Sequence, residues 1–377
     1  MGGTSPVKNP LPEVATLDGA KNAVPWFIVP NGPIREARFK KSNGNADGDV
    51  HDLFVIRGRA DAPGCNIAQF DFLPAGNSLT GQGGNRNIIF RIPTPVFGAG
   101  LIEGISDSAI LANLQANASA KSELGIHGHA NAHLSGNTNL SANDGTITRF
   151  GWKAQNKSLL MFAGEAYNVE MGISNQLFPQ ERDETPGCIF TPTPNDTLNF
   201  TTTPSTTNSS GISNPAVISD IEAFANFMRL LAPPTPAPPT PSSEKGRDLF
   251  AKVGCVHCHT PSFTTGAMIA SGSATSPSAA LSNQTANLFS DLLVHHMGKG
   301  LADGITQGGA GPDEFRTAPL WGVGQRVFFL HDGRTSNLVD AIRAHQSHGS
   351  EANKVIEHFN KLTVQEQQEI IDFLRSL

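Results

Sequence analysis

The sequence predicts a mainly α-helical protein with extensive irregular loops and a few short strands. The 377-residue chain contains 38 glycines and 26 prolines, and only 16% of its residues are charged, a composition that favours irregular backbone. Several segments nevertheless carry apolar residues at the spacing of one helix face, whereas the strand-like runs are short and interrupted by proline or glycine. A chain of this length can bury a substantial core, and we expect two lobes.

The first half of the chain contains two strand candidates and two helix candidates. Residues 51–59 (HDLFVIRGR) and 87–97 (NIIFRIPTPVF) are the best strands, while residues 106–121 and 156–172 have helical apolar spacing. Residues 189–212, rich in Thr, Asn, Ser and Pro, predict an exposed loop. We expect one face of the second helix to be formed by Leu159, Phe162, Ala163, Ala166 and Tyr167.

A proline-rich segment marks the clearest domain boundary. Residues 214–231 have helical spacing and run directly into APPTPAPPTPSS. A helix cannot continue through so many prolines, so residues 232–241 are expected to form an extended linker. The sequence therefore predicts a loop-rich N-terminal lobe over residues 1–231 and a separate domain over residues 242–377.

The C-terminal domain is predicted to be mostly helical. Residues 242–259 predict a serine-capped helix, and residues 335–346 predict another with Ser336 as its cap. The last helix opens with the capping box Thr363-Val-Gln-Glu366. Its apolar spacing predicts that Ile370, Ile371 and Leu374 are buried.

The strongest chemical signal is the stretch GCVHCHTP at residues 254–261. Cys255-Val-His-Cys258-His259 is the C-x-x-C-H pattern of covalent haem attachment, in which two thiols bind the porphyrin edge and the next histidine ligates the iron. The alternatives are a redox dithiol, half of a zinc site, or chance. No βαβ unit precedes the motif and no second ligand pair is evident, so we predict one haem c and a cytochrome c-like domain over residues 242–377.

The sixth iron ligand decides between electron transfer and catalysis, because a methionine there blocks the position that peroxide would need. Met268 and Met297 are the only methionines after the motif. Met297 follows an apolar run that can pack on a haem, so we predict iron ligation by His259 and Met297, with a core methionine as the alternative. Less favoured ligands are His295, His296, His331 and His345.

Two arginines are candidates for holding the haem propionates. Arg316 and Arg334 could each make bidentate hydrogen bonds to a carboxylate, although solvated arginines are an equal alternative. His127, His129 and His133 in HGHANAH have the density of a metal site. No regular element is evident there to orient the rings, so a solvated loop is the favoured interpretation.

The remaining cysteines, Cys65 and Cys188, each end a Pro-Gly-Cys turn. Covalent haem belongs to an oxidising compartment, where a disulfide between them would stabilise the fold by roughly 2–5 kcal/mol. Two separate buried thiols are the alternative. The opening MGGTSPVKNP has neither a basic nor an apolar signal region, so we expect the secretion signal to lie outside this sequence.

The chain as a whole resembles the di-haem oxidoreductase family, distant relatives of bacterial di-haem cytochrome c peroxidases. The segments that carry the resemblance are RFGWKAQNKSLLMFAGEAYNVEMG, LFPQERDETPGC, the haem motif, DLLVHHMGKGLADG, FRTAPLWGVG, FFLHDGRTSNLVDAI and HGSEANKVIEHFNKLT. The resemblance implies a first C-x-x-C-H just upstream of a segment like GGTSPVKNP, which here follows only Met1. It also implies that Cys255, Cys258 and His259 mark an electron-relay haem. Leu330 occupies the place of the relatives' ligating methionine, which leaves Met297 as the candidate methionine ligand of the iron.

These observations predict a c-type haem protein for electron transfer, in full-length form a di-haem peroxidase-like oxidoreductase with a second haem. The alternatives are a mono-haem carrier or sensor without catalysis, and a thiol-disulfide oxidoreductase. We expect a periplasmic or extracytoplasmic location and a redox partner protein or a small-molecule oxidant or reductant. The net charge of −6 and pI near 6.0 argue against nucleic acid, and no apolar run is long enough for a membrane span.

Overall fold

A computed structural model describes residues 33–42, 44–48, 50, 87–132, 147–179, 193–196, 219–267, 269 and 278–377. Several predictions fall outside these residues, namely the strand at 51–59, most of the loop at 189–212, Cys65, Cys188, His133 and Met268. The chain divides into two compact units. The first comprises Met1–Pro93 and Ala163–Ala225, and the second comprises Thr94–Phe162 and Asn226–Leu377.

The first unit contains two antiparallel strand pairs among its described residues. Strand β1 (Glu36–Phe39) pairs with β4 (Ile88–Arg91), and β2 (Lys41–Ser42) pairs with β3 (Asn45–Ala46). The register places Phe39 opposite Ile88, and both side chains are buried. The strand predicted at 87–97 is thus confirmed over its first part; it ends before Pro93, which cannot donate to a ladder.

Five helices precede the proline-rich segment in the described part of the chain. They are α1 (Ala99–Glu103), α2 (Asp107–Gln115), α3 (Ala118–Leu124), α4 (Leu159–Met171) and α5 (Asp220–Leu230). The single helix predicted over 106–121 is two helices, because Asn117 adopts a left-handed conformation with φ of 56°. The helices predicted over 156–172 and 214–231 are confirmed at α4 and α5.

The second unit ends in a helical region. Its helices are α6 (Pro241–Val253), α7 (Gly298–Leu301), α8 (Leu338–Arg343), α9 (Asn353–Asn360) and α10 (Val364–Ser376). Between α6 and α8 lie two short antiparallel pairs, β5 (Phe263–Thr264) with β6 (Thr285–Ala286) and β7 (Val294–His296) with β8 (Glu314–Arg316). The fold is therefore mainly α with irregular loops and short strands, as predicted.

Two of the three predicted helix caps are wrong by one or more residues. Helix α6 is capped by Thr240, whose hydroxyl accepts from the Ser243 amide, because Pro241 is well suited to the first helical position. Helix α8 is capped by Asn337 instead of Ser336. The capping box at the start of α10 is confirmed, with Thr363 and Glu366 bonded reciprocally.

Helices α6 and α10 cross in close backbone contact. A Cβ atom added at Gly246 in α6 would lie 2.9 Å from the Phe373 Cβ in α10, and closer still to the Glu369 carbonyl oxygen. Only glycine permits this approach. Around the crossing lies an apolar core that includes Phe250, Val253, Phe359, Ile370, Ile371, Phe373 and Leu374.

The compact unit that contains the C-x-x-C-H motif also includes Thr94–Phe162, and residues 231–240 carry no helix or strand. The domain boundaries at 231 and 242 remain a prediction. None of the helices among the described residues combines the length and the apolar character needed to cross a membrane.

Candidate functional site

The C-x-x-C-H motif lies directly after α6. Gly254 ends the helix in a left-handed conformation with φ of 105°, which a residue with a side chain rarely adopts. A tight 3-10 turn, Cys255–His257, follows, and the His259 amide donates to the Cys255 carbonyl oxygen at 2.9 Å. This turn brings both thiols and the His259 ring to the wall of one cavity.

The cavity has a volume of about 210 Å³ and mostly apolar walls. Its apolar lining comes from helices α6, α8, α9 and α10, from the segment between β7 and α8, and from the region of Ile126 and Trp152. Representative apolar residues are Trp152, Phe250, Phe315, Leu330, Ile342 and Ile356. Apolar walls interrupted by a few polar groups are typical of cofactor and small-molecule sites.

The hydrogen bonding and burial of the His259 ring suit it to ligate a metal. Its Nδ1 donates to the Phe289 carbonyl oxygen at 2.9 Å, which leaves the lone pair of Nε2 available. Burial lowers the pKa of His259 to about 4, so the ring is neutral at physiological pH. A carbonyl that fixes the tautomer of a ligating histidine is a common outer-shell arrangement in metal sites.

The two motif thiols are not activated nucleophiles. Removal from water raises the pKa of Cys255 to about 12 and also raises the pKa of Cys258. Both thiols are free, without a disulfide between them. Reactive dithiols have lowered pKa values, so this environment disfavours disulfide exchange.

Next to Cys258 lies a buried cluster formed by Asp291, His295 and Glu351, of which the sequence analysis singles out only His295. His295 Nε2 lies 2.9 Å from Asp291 Oδ2, and His295 Nδ1 lies 2.8 Å from Glu351 Oε2 and 3.7 Å from Cys258 Sγ. Both ring nitrogens are occupied, so His295 is poorly placed to ligate iron. Ligand atoms of Cys258, Asp291 and His295 lie within 4.8 Å of one another, close enough to hold a metal ion.

Besides His295, three of the predicted sixth-ligand candidates line the same cavity: Met297, His331 and His345. His345 Nδ1 donates to the Ala341 carbonyl oxygen at 2.8 Å, leaving Nε2 available as in His259. His331 instead stacks on Phe315, with the ring centroids 4.3 Å apart. His296 does not line the cavity; its half-exposed ring is bonded to Asp313 and Glu314.

Of the two predicted propionate partners, the structure brings only Arg316 to the cavity. Arg316 is buried, donates to the Gly151 and Thr317 carbonyl oxygens, and makes no carboxylate ion pair among the described residues. Burial lowers its pKa to about 10, so it remains charged at physiological pH. Arg334 is exposed and pairs with Asp332.

Sequence reasoning missed Arg326, Asp291 and Glu351, which all lie close to the motif in space. Arg326 lines the cavity, and burial lowers its pKa. Asp291 carries a local signal, since it stands four residues before His295. Glu351 and Arg326 carry none, because each reaches the site only through the tertiary fold.

His129 is more firmly held than the solvated-loop interpretation of HGHANAH predicts, although its ring is 44% exposed. Its backbone forms a bridge with Val294, and its Nε2 lies 2.8 Å from Glu314 Oε1. The exposed His127 donates from its amide to Glu351. Pairing with β7 gives this part of the loop the fixed backbone that its sequence does not reveal.

The residues around the cavity fit a covalently attached haem. Two adjacent thiols can reach a porphyrin edge, a neutral imidazole offers Nε2, and the walls are apolar. The buried Arg316 supplies a positive charge in the wall that suits an anionic group.

The comparisons with known proteins agree with this chemistry at the level of family. The profile of the family described as "Di-haem oxidoreductase, putative peroxidase" matches residues 82–377. No curated protein matches the chain.

Two solved structures are similar at low levels. A MauG-like protein associated with microbial copper homeostasis is 19% identical, with 42% of this chain and 52% of that protein covered and a TM-score of 0.26. The match therefore spans about half the length of that protein. The hydrazine synthase of Kuenenia stuttgartiensis is 16% identical, with 76% and 89% covered and a TM-score of 0.31. Neither similarity is close enough to support an argument; the family match over residues 82–377 does, and the chain belongs to the di-haem oxidoreductase family.

Proposed function

We propose that this protein is a c-type haem protein that transfers electrons as part of a di-haem peroxidase-like oxidoreductase. The observation that carries the proposal is the convergence of Cys255, Cys258 and His259 on one apolar cavity, with His259 Nδ1 bound to a carbonyl and Nε2 available. Membership of a haem oxidoreductase family supports the same reading.

In this proposal Cys255 and Cys258 hold the haem through thioether bonds and His259 ligates the iron. Arg316 and Arg326 pair with the propionates, since both line the cavity and neither has a carboxylate partner among the described residues. A haem here supplies a one-electron couple whose potential depends on its axial ligands and on the surrounding charges. The chain's own contribution is to exclude water from the site and to fix the His259 tautomer.

Met297 is the proposed sixth ligand. It lines the cavity, its amide donates to the Asp313 carbonyl oxygen at 2.8 Å, and its own carbonyl accepts from Ser347. These bonds fix the backbone that presents the thioether. His345 is the competing ligand, because its Nε2 is also available. A Met ligand favours a carrier of relatively high potential, whereas loss of the sixth ligand would give peroxide access to the iron.

The thiol-disulfide alternative is less well supported. Both motif thiols have raised pKa values, whereas exchange requires a substantial thiolate fraction. A divalent ion at Cys258, Asp291 and His295 is a second candidate, favoured by the spacing of the three ligand atoms. Binding of this ion and attachment of haem exclude each other, because the Cys258 sulfur of a thioether is no longer a thiolate that can ligate a metal.

The first experiment is the intact mass of the protein from its native source, with haem and metals counted per chain. We expect a mass increase equal to one haem at this motif and no free thiol at Cys255 or Cys258. The His259→Ala variant is expected to alter the iron spectrum. His257→Ala is the matched control, because His257 stands between the two cysteines and is expected not to ligate iron.

Two outcomes would contradict the proposal. Free thiols at both positions in native protein would favour the dithiol alternative. Bound zinc without haem that disappears in His295→Ala would favour the metal alternative. A second haem on the native protein would support the di-haem form and give peroxidase assays priority.

Absorption and magnetic circular dichroism identify the sixth ligand. We expect a ferric sulfur-to-iron charge-transfer band that is absent in Met297→Ala and retained in His345→Ala. The reverse pattern would assign the ligand to His345. Rapid cyanide binding by high-spin iron in the unaltered protein would show an open position and would favour catalysis at this haem.

We also propose an extracytoplasmic location and electron exchange with a redox partner protein or a small-molecule oxidant or reductant. Covalent haem attachment by this motif occurs outside the cytoplasm, which supports the location. Fractionation of native cells with detection of peptides from residues 242–377 tests it, and recovery of the haem-loaded chain from the cytoplasm would contradict it.

A further inference from the structure

A short backbone segment supplies the carbonyl group to which the His259 ring is bonded. Residues 289–291 lie beside the end of the C-x-x-C-H motif. Their amides donate to the carbonyl oxygens of Pro261, Thr260 and Cys258, respectively, at 3.2, 2.9 and 2.9 Å. These bonds hold the segment against the proposed iron ligand.

Two residues in this part of the chain adopt an unusual backbone conformation. Phe289 and Leu292 have φ of 50° and 61°, in the left-handed region that bulky residues rarely adopt. Such strain persists only where the surrounding structure imposes it, and it is concentrated at functional sites. The carbonyl oxygen of Phe289 is the one that accepts from His259 Nδ1 at 2.9 Å. The strain therefore lies at the group that contacts the proposed iron ligand.

Ser290 stands between the two strained residues and makes the side-chain bonds that hold them. It is fully buried, and its hydroxyl donates to the Thr317 carbonyl oxygen at 2.6 Å and accepts from the Leu292 amide at 3.0 Å. The Thr317 amide in turn donates to the Leu293 carbonyl oxygen at 2.9 Å. A buried hydroxyl with both an acceptor and a donor partner specifies a single backbone path.

The acceptor of the Ser290 hydroxyl is shared with the arginine in the cavity wall. The Thr317 carbonyl oxygen also accepts from Arg316 Nη1 at 3.2 Å, and Arg316 lines the cavity. One buried hydroxyl therefore joins the segment that binds the His259 ring to the segment that carries Arg316.

We propose that Ser290 is a positioning residue for the His259 iron ligand. Its hydroxyl holds Phe289 in the left-handed conformation and so directs the Phe289 carbonyl group to His259 Nδ1. This bond fixes the orientation of the ring and raises the basicity of the ligating nitrogen, as outer-shell partners of ligating histidines do. A more basic ligand favours ferric iron, so Ser290 lowers the reduction potential of the haem. The inference rests on the proposed function and names a residue that tunes it.

The test compares Ser290→Ala with the matched control Ser282→Ala in protein whose haem has been counted. Ser282 is also buried, and its hydroxyl likewise donates to a carbonyl and accepts from an amide, both of Ile269, but it does not line the cavity. We expect Ser290→Ala to raise the midpoint potential in redox titration and Ser282→Ala to leave it unchanged.

Proton nuclear magnetic resonance gives a second measurement, the hydrogen–deuterium exchange of the His259 ring N–H. We expect slow exchange in the unaltered protein and in Ser282→Ala. In Ser290→Ala the exchange rate is expected to rise by roughly 10-fold, the factor that corresponds to the loss of one hydrogen bond.

An unchanged potential in Ser290→Ala, or an equal shift in both variants, would overturn the inference. A fall in potential would also overturn it, because the change would then act through Arg316 and not through His259. Rapid exchange of the His259 ring N–H in the unaltered protein would do so even if Ser290→Ala fails to fold. Native protein without haem would contradict the proposed function and this inference with it, so the two failures can be told apart.

Discussion

Replacement of Gly246 by alanine tests the close crossing of α6 and α10, which supports the motif. Two effects oppose each other. Alanine is favoured over glycine within a helix by about 1 kcal/mol. Against this, the new Cβ would lie 2.9 Å from the Phe373 Cβ and closer still to the Glu369 carbonyl oxygen, distances below the 3.0 Å that real Cβ atoms respect. The Glu369 carbonyl group belongs to the backbone and cannot rotate out of contact as a side chain can, so helices α6 and α10 must move apart.

Overpacking of this kind costs about 1–3 kcal/mol, and the backbone contact places Gly246→Ala at the upper end. Subtracting the helix preference leaves a net loss of about 2 kcal/mol, or roughly 4–8 °C in Tm for a unit of this size. Because α6 leads directly into Cys255, we also expect a change in the haem spectrum.

Urea denaturation followed by far-ultraviolet circular dichroism measures the loss. Lys245→Ala is the matched control; the Lys245 side chain is 71% exposed, and we expect a change within about 0.5 kcal/mol. An increase in stability of about 1 kcal/mol in Gly246→Ala would mean that helix preference acts alone, and the proposed crossing would be wrong.

Three further predictions concern single side chains. Lys153→Met removes a fully buried ammonium that lies 3.3 Å from Asp303 and donates to two carbonyl oxygens. We expect the free energy of unfolding to fall by about 3–5 kcal/mol in urea denaturation, and to recover in part when Asp303→Asn is added. Additive losses in the double variant would refute the coupling of the two charges. Thr363→Ala removes the cap of α10 and should cost about 1 kcal/mol, whereas Thr363→Ser should cost much less. Arg316→Gln removes a positive charge from the cavity wall. Because a nearby positive charge favours the reduced iron, this change should lower the haem midpoint potential by roughly tens of millivolts in redox titration. Arg334→Gln, outside the cavity, is the control, and an equal shift in both variants would contradict the role of Arg316.

Much of the helical framework could be read from the sequence because its signals are local. Apolar spacing identified α4, α5 and α10, and Thr363 with Glu366 identified the start of α10. The break between α2 and α3 was missed, since the left-handed conformation of Asn117 has no strong local signature. The sequence places the cap of α6 too late, because Pro241 ends the proline-rich segment and also suits the first position of the helix that follows.

The sequence by itself determined that the three residues of the C-x-x-C-H motif lie close together. Two thiols and a histidine lie within five consecutive residues, so their proximity is fixed by the chain and needs no long-range contact. The resemblance of segments along the whole chain predicted the family, and the profile that matches residues 82–377 confirms it.

Only the tertiary structure decided which distant groups join these residues. It placed Arg316 at the cavity and left Arg334 in solvent, enclosed His295 between Asp291 and Glu351, and brought His129 to Glu314. Each pairing joins residues whose proximity follows from strand register, loop path or helix packing. Such contacts depend on the fold as a whole, because no periodicity in the chain encodes which of several histidines or arginines will meet a given carboxylate.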